Sequence, residues 1–281
     1  MTIEAKMIED SISPHGIRLA TLQLRYPRFI HSEVMTHRVF SRNASSSRAI
    51  PVAKMIEQVR NDPAMPIHWG LNQPGMQAKA EQADWATCVS NWRWAANSAA
   101  DRAEALAALG LHKQVVNRVL EPFLHISVVV TATEWENFFE LRDHEDAQPE
   151  IRELAIQMKR AIAASHPTYR SYNENDVENW HLPYVTAEER NVRGVNPWFL
   201  AEISAARCAR TSYLTHDGQE PNIEKDKGLF ERLVGSRPLH ASPTEHQGFP
   251  LPFEREWCKN FRGWFQFRQA VESEMLEREA A

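Results

Sequence analysis

The run Thr36-His37-Arg38-Val39-Phe40-Ser41-Arg42-Asn43-Ala44-Ser45-Ser46-Ser47-Arg48 concentrates hydrogen-bond donors and offers little that packs. Cationic groups at His37, Arg38 and Arg48 are interleaved with the hydroxyls of Ser41 and Ser46 and the amide of Asn43. Guanidinium groups and hydroxyls grouped in this way suit an anion, because charge-assisted hydrogen bonds to phosphate or carboxylate are roughly twice as strong as neutral ones. The expected chemistry is therefore the holding and polarising of an anionic ligand.

Two further stretches carry arginines at telling places. Asn137-Phe138-Phe139-Glu140-Leu141-Arg142 and Ala147-Gln148-Pro149-Glu150-Ile151-Arg152 precede Arg160 on a helical pattern. A planar guanidinium fits both a phosphate and a pyrimidine carbonyl, although Arg142 and Arg160 also read as solvent-facing members of acid-rich helices. Near the far end, Ala205-Ala206-Arg207-Cys208-Ala209-Arg210-Thr211-Ser212 is followed by His240-Ala241-Ser242-Pro243-Thr244-Glu245-His246. Ser242 with Glu245 reads as a helix N-cap with its capping-box acid, and such an N-terminus is also an anion site.

The first run resembles the signature of the flavin-dependent thymidylate synthases, RHRxxSxNExSxR, at six of its eight specified positions. The second pair resembles that family's hFlxLR…AQxEIR region, and the third its AxRxARxSf…HxSpfEH elements. In ordinary members the third element comes first, directly before the strand leading into the signature; here it comes last. The resemblance thus implies a circularly permuted single domain over residues 1–281. The usual N-terminal segment would lie at about 197–250, with 251–281 as an extra C-terminal helix. Natural ends close together at the surface make such a permutation tolerable.

The resemblance also implies function. It suggests transfer of a one-carbon unit from methylenetetrahydrofolate to C5 of a deoxyuridylate, with FAD as cofactor and NADPH as reductant. Arg142, Arg160 and Ser46 would be catalytic. Glu33, Ser46, Arg48, Arg142 and Arg160 would bind the substrate. His37, Arg38, Ser41, Asn43, Ser212, His240, Ser242 and Glu245 would bind the flavin. A homotetramer with shared active sites is implied as well. The chain departs from the pattern at Thr36, Ala44 and Glu33, where the family has Arg, Glu and Gln, and at Thr131 to Glu134, where an NxR element is shortened. These departures keep two alternatives open: C5 methylation or hydroxymethylation of another pyrimidine nucleotide such as dCMP, and a non-catalytic flavin- or nucleotide-binding protein.

The rest of the chain must position these groups. With 281 residues, 43% hydrophobic and 25% charged, it is long enough for one large domain. A net charge of -5 gives no general attraction to nucleic acid. Cys88, Cys208 and Cys258 are far apart and form no CxxC pair, which points to a reducing, cytoplasmic setting. No secretory leader pattern and no membrane-length apolar run is visible. Neither His144-Glu145-Asp146 nor His240/His246 has metal-ligand spacing, so no metal is expected.

Residues 17–25 and 127–131 read as strands, and 28–39 as a helix that delivers His37 and Arg38 at its C-terminus. Residues 41–48 read as an irregular loop. Helices are expected over 76–109, ending at Gly110, and over 134–142, 150–165, 197–212, 224–233 and 260–277. In the last of these, NFRGWFQFRQ reads as a docking helix. Trp85, Trp92 and Trp94 are expected to pack into the core. The fold class is α+β, helix-rich with a small mixed or antiparallel sheet.

Overall fold

The computed structural model describes residues 3–211 and 219–280. The chain opens on a hairpin of β1 (Glu4–Ile12) and β2 (Arg18–Pro27), paired antiparallel from Glu4↔Arg25 to Ile12↔Arg18. A 3-10 turn at Arg28–Ile30 and one turn of α1 (His31–Val34) lead back into β3 (Ser41–Ala44). Next come α2 (Val52–Asn61), α3 (Trp85–Ala108), α4 (Lys113–Val116) and a 3-10 segment at Asn117–Phe123. They form a small lobe around Met55, Val59, Ala96, Ala100, Ala103 and Leu120.

β4 (His125–Ala132) then inserts between β2 and β3, antiparallel to both. After α5 (Glu136–Arg142) and α6 (Pro149–Ala164), β5 (Thr168–Tyr169) joins the far edge parallel to β1. The five-stranded order is β3-β4-β2-β1-β5.

Period-two alternation decides which layer each side chain enters. Leu22, Leu24 and Tyr26 of β2 and Val128 and Val130 of β4 meet Phe138, Ile151, Leu154 and Met158 of the α5–α6 layer. Their neighbours Leu19, Thr21, Val129 and Thr131 turn to the opposite face, which the C-terminal third covers. That third comprises α7 (Ala187–Arg190), α8 (Pro197–Arg210), α9 (Ile223–Leu233) and a 3-10 turn at Ser242–Glu245. It ends with the short strands β6 (Gly248–Pro250), β7 (Trp257–Cys258), β8 (Phe261–Arg262) and β9 (Trp264–Gln266), then α10 (Phe267–Ala280). The result is a helix–sheet–helix sandwich of α+β class.

Several expected elements differ. The helix after Pro27 stops at Val34, because the Thr36 hydroxyl donates to the Glu33 carbonyl at 2.6 Å and Arg42 donates to the Met35 and His37 carbonyls at 2.8 and 3.0 Å. Those side chains satisfy acceptors that a continuing helix would have bonded, so His37 and Arg38 lie on turns beyond the helix.

Residues 41–44 form a strand, not a loop. Its buried positions are polar and find partners far away in sequence, so no apolar alternation marks it. Helix α3 starts at Trp85, not Met76, because Asp84 caps Thr87 N while residues 69–82 double back through Leu71 N to Ala80 O. Residues 261–266 are strands β8 and β9, broken by Gly263 at φ +68°, where a Cβ would stand 2.5 Å from Ile17 Cδ1. The docking helix therefore begins only at Phe267. Trp85 and Trp94 are exposed, and of the three tryptophans on α3 only Trp92 packs, against Phe29, Trp69 and Phe123.

Candidate functional site

The turn between α1 and β3 places His37 at the centre of a small aromatic nest. Its ring is nearly buried, edge-on to Phe138 at 4.7 Å and 6.0 Å from Phe40. Burial, together with the Arg142 and Arg42 charges, lowers the His37 pKa. The ring is thus held neutral, and Nε2 accepts a 2.9 Å hydrogen bond from Arg142 Nε. Arg142 Nη2 also reaches the Thr36 hydroxyl at 3.4 Å. A sequence separation of 105 residues is thereby closed, and the expected signature and the expected substrate arginine meet directly.

Around this pair the site is polar and open. Arg38 and Arg48 are exposed, and among the described residues neither makes a side-chain hydrogen bond or ion pair. Ser46 is exposed beside Arg48, whose backbone N–H donates to its hydroxyl at 3.3 Å. Ser41 and Asn43 point the other way. Both are buried, with Ser41 Oγ accepting from Gln266 and Asn43 Nδ2 donating to the Cys208 carbonyl, each at 3.0 Å. Their polar atoms anchor β3 to the C-terminal layer.

Glu33 stands on α1 between two environments. Burial raises its carboxyl pKa and nearby Glu150 adds to the rise, while Arg142 opposes it. Glu33 also lines a cavity of about 990 Å³ bounded by Phe29, Trp92, Ile67 and the N-terminal turn of α6. Glu150, one of its walls, is buried and accepts the Ile67 backbone N–H at 2.9 Å. Five carboxylates (Glu33, Glu145, Asp146, Glu150, Glu153) face Lys79 and Arg152 there, so the cavity favours an uncharged or amine-bearing group over a phosphate. Arg160 is exposed farther along α6 and does not line this cavity.

The C-terminal segment lies against β3. Gln266 Nε2 donates to both Ser41 Oγ and the Glu245 carbonyl, each at 3.0 Å. The Glu245 carboxylate receives Arg268 of α10; burial raises its pKa, and Arg268 and Arg42 oppose that rise. The cap reading of Ser242 does not hold: no side-chain cap bond forms and the element is a four-residue 3-10 turn. With it goes the anion site expected at that helix N-terminus. His240 and Ser242 are exposed. Ser212 lies outside the described residues. Arg207 and Arg210 are buried against Asp226, and Arg207 also bonds Glu189, so both are structural.

Beneath these groups a buried polar chain crosses the sheet. His246 Nδ1 meets Thr131 Oγ1 at 2.8 Å, Thr131 meets Thr21 at 2.7 Å, and Thr21 meets His181 Nε2 at 2.8 Å. His181 Nδ1 then meets Ser11 at 2.9 Å. Burial pushes the His246 pKa down to about 3 and holds that of His181 well below its ordinary value. Both imidazoles are therefore neutral members of a hydrogen-bonded core.

Sequence reading missed Arg42, Gln266, Arg268 and Glu150. Arg42 falls on an unspecified position of the signature, and the other three act through partners that only folding supplies.

A family model described as thymidylate synthase complementing protein matches residues 8–168. Among solved structures the chain is similar to a UMP/dUMP methylase, PolB, from Streptomyces cacaoi bound with 5-Br UMP. That match has 18% identity and a TM-score of 0.49, covering 58% of this chain and 89% of the other. The same methylase bound with 5-Br dUMP gives 18% identity and a TM-score of 0.48, over 58% and 90% of the two chains. No curated protein matches.

Proposed function

This chain belongs to the thymidylate synthase complementing protein family, and from that premise we propose that it transfers a one-carbon unit from methylenetetrahydrofolate to C5 of a deoxyuridylate. Family membership marks it as an enzyme of the methyltransferase type. The observation that carries the finer reading is the 2.9 Å bond between Arg142 and neutral His37, with the guanidinium groups of Arg38 and Arg48, which have no side-chain partner among the described residues, on either side of β3.

The chain's own residues divide the work. Arg48 and Ser46 hold the substrate phosphate, where cation and hydroxyl act together. Arg142, oriented by His37, presents its remaining donors to the polar edge of the pyrimidine and stabilises charge developing on the ring. Arg160 is exposed on α6 and does not line the acid-walled cavity, and we assign it to a site shared between subunits of a homotetramer.

The donor set also fits FAD, since Arg38 with exposed His240 and Ser242 offers groups of the right kind for a diphosphate. FAD, re-reduced by NADPH, supplies the reducing electrons when bound. Ser41, Asn43 and Glu245 support that side by fixing β3 against the C-terminal layer.

A second reading rests on Glu33. A half-buried carboxylate beside an acid-lined cavity accepts from an exocyclic amine and repels a carbonyl, which favours a cytosine nucleotide such as dCMP, methylated or hydroxymethylated at C5. The test is tritium release from C5-labelled dUMP and dCMP with methylenetetrahydrofolate, FAD and NADPH. Release from dUMP upholds the first reading and release from dCMP the second. Release from neither, with flavin bound, leaves a binding protein.

A further inference from the structure

We propose that Gln266 is the positioning residue that holds the two ligand-bearing segments of this site in register, replacing through space a connection that the chain order has cut. The inference rests on the reading above, in which the Arg38–Arg48 segment and the Ser242–Glu245 turn serve one ligand. In the ordinary order the second segment runs straight into the strand that leads to the first, so the backbone itself fixes their separation. Here they sit near opposite ends of 281 residues. Their relative position must come from non-covalent contacts.

Gln266 is built for that task. It is completely buried, and its single amide nitrogen uses one hydrogen on Ser41 Oγ and the other on the Glu245 carbonyl, both at 3.0 Å. The Glu245 carbonyl can only accept, which sets the amide's orientation. The backbone of Gln266 is itself pinned: β9 pairs with β6 at Gly248↔Gln266, and the next residue, Phe267, donates its N–H to the Gln247 carbonyl at 3.0 Å. Arg268, two residues on, takes the Glu245 carboxylate. Of the other ties, the His246–Thr131 and Asn43–Cys208 hydrogen bonds each touch only one of the two segments, and the attraction between Arg42 of β3 and the Glu245 carboxylate joins both without a hydrogen bond to fix its geometry. Removing a buried donor that serves two acceptors leaves both unsatisfied, a change worth about a factor of ten or more in a local equilibrium.

The test compares Gln266→Met with Gln247→Met in the full chain. Gln247 is equally buried, but its amide bonds only Ser204 and Cys208, at 3.1 and 3.5 Å. Amide hydrogen exchange is read without ligand, and FAD affinity by titration. Gln266→Met should raise exchange about tenfold in both 41–45 and 242–246 and weaken FAD binding about tenfold. Gln247→Met should lower thermal stability similarly, leave 41–45 protected and keep FAD affinity within about twofold. If Gln266→Met fails to fold, Ser41→Ala takes its place and should loosen 242–246 across the clamp.

Unchanged protection of 41–45 in Gln266→Met, or of 242–246 in Ser41→Ala, overturns the proposal. So does equal loss of FAD affinity in the two glutamine variants. If the wild-type chain takes up no FAD, the functional reading fails and the exchange pattern alone decides whether Gln266 is the clamp.

Discussion

Arg207 and Arg210 on α8 and Arg38 and Arg48 beside β3 belong to motifs that look alike on paper, each a pair of arginines among small and hydroxylated residues. Folding treats them in opposite ways. Arg207 has no exposed surface and donates to Asp226, to Glu189 and to the Tyr184 carbonyl. Arg210 shares Asp226. Arg38 and Arg48 stay at the surface with no side-chain partner among the described residues. A buried guanidinium must be paired or the charge would not be tolerated, so the first pair is spent on tying α8 to α9 through Asp226. An open guanidinium costs little to leave unpaired and is ready for an anion. Pairing, more than motif membership, separates scaffold from site.

The largest effect should come from Asp226→Ala, which leaves two buried cations short of their shared carboxylate. Breaking such a pair costs about 3–5 kcal/mol, read by urea unfolding. A loss below about 1 kcal/mol would erase the distinction drawn here.

Acid should act next, and most strongly on the buried layer. His246, with a pKa of about 3 when folded, and His125, at about 4, sit below the ordinary value of 6.5. The unfolded chain therefore binds more protons between those limits, so stability is full above pH 6.5 and falls as pH drops. His246 alone accounts for about 3 kcal/mol at pH 4. A thermal-melt series should show this limb and should flatten in His246→Asn; a flat wild-type profile would refute it.

Arg48→Ala reverses the pattern. Nucleotide affinity should fall by about 2 kcal/mol, roughly thirtyfold, as expected for a lost charge-assisted bond. Stability should move by less than about 0.5 kcal/mol. A drop in stability matching the drop in affinity would place Arg48 with Arg207 in the scaffold. The smallest change is Trp94→Ser. This side chain is 71% exposed, so the stability of the isolated subunit should shift by no more than about 0.5 kcal/mol; any larger loss that depends on protein concentration would assign Trp94 to a subunit contact.

Strands β2 and β4 were legible because β-branched and apolar residues in Leu19–Leu24 and Ile126–Val130 are bounded by turn residues, and α5 and α6 because their apolar faces recur at helical spacing. Strand β3 was hidden. Ser41 and Asn43 are buried polar groups whose partners, Gln266 and the Cys208 carbonyl, lie 225 and 165 residues away. The early stop of α1 was hidden for the same reason, since Arg42 reaches back to carbonyls that local propensity would assign to a longer helix. Exposure of Trp85 and Trp94 could not be read either, because aromatic spacing on a helix does not say whether a neighbour exists to cover it.

The linear order of residues determined the family, the chemistry of the donors and the helix–strand alternation, all of which depend on residue type and short-range periodicity. Only the tertiary structure decided which arginines remain open, that His37 accepts from Arg142, and that the last elements of the chain brace the signature strand. Those outcomes turn on burial and on hydrogen bonds closed over a hundred residues or more, and a charge or a buried amide has no fixed role until its neighbours are in place.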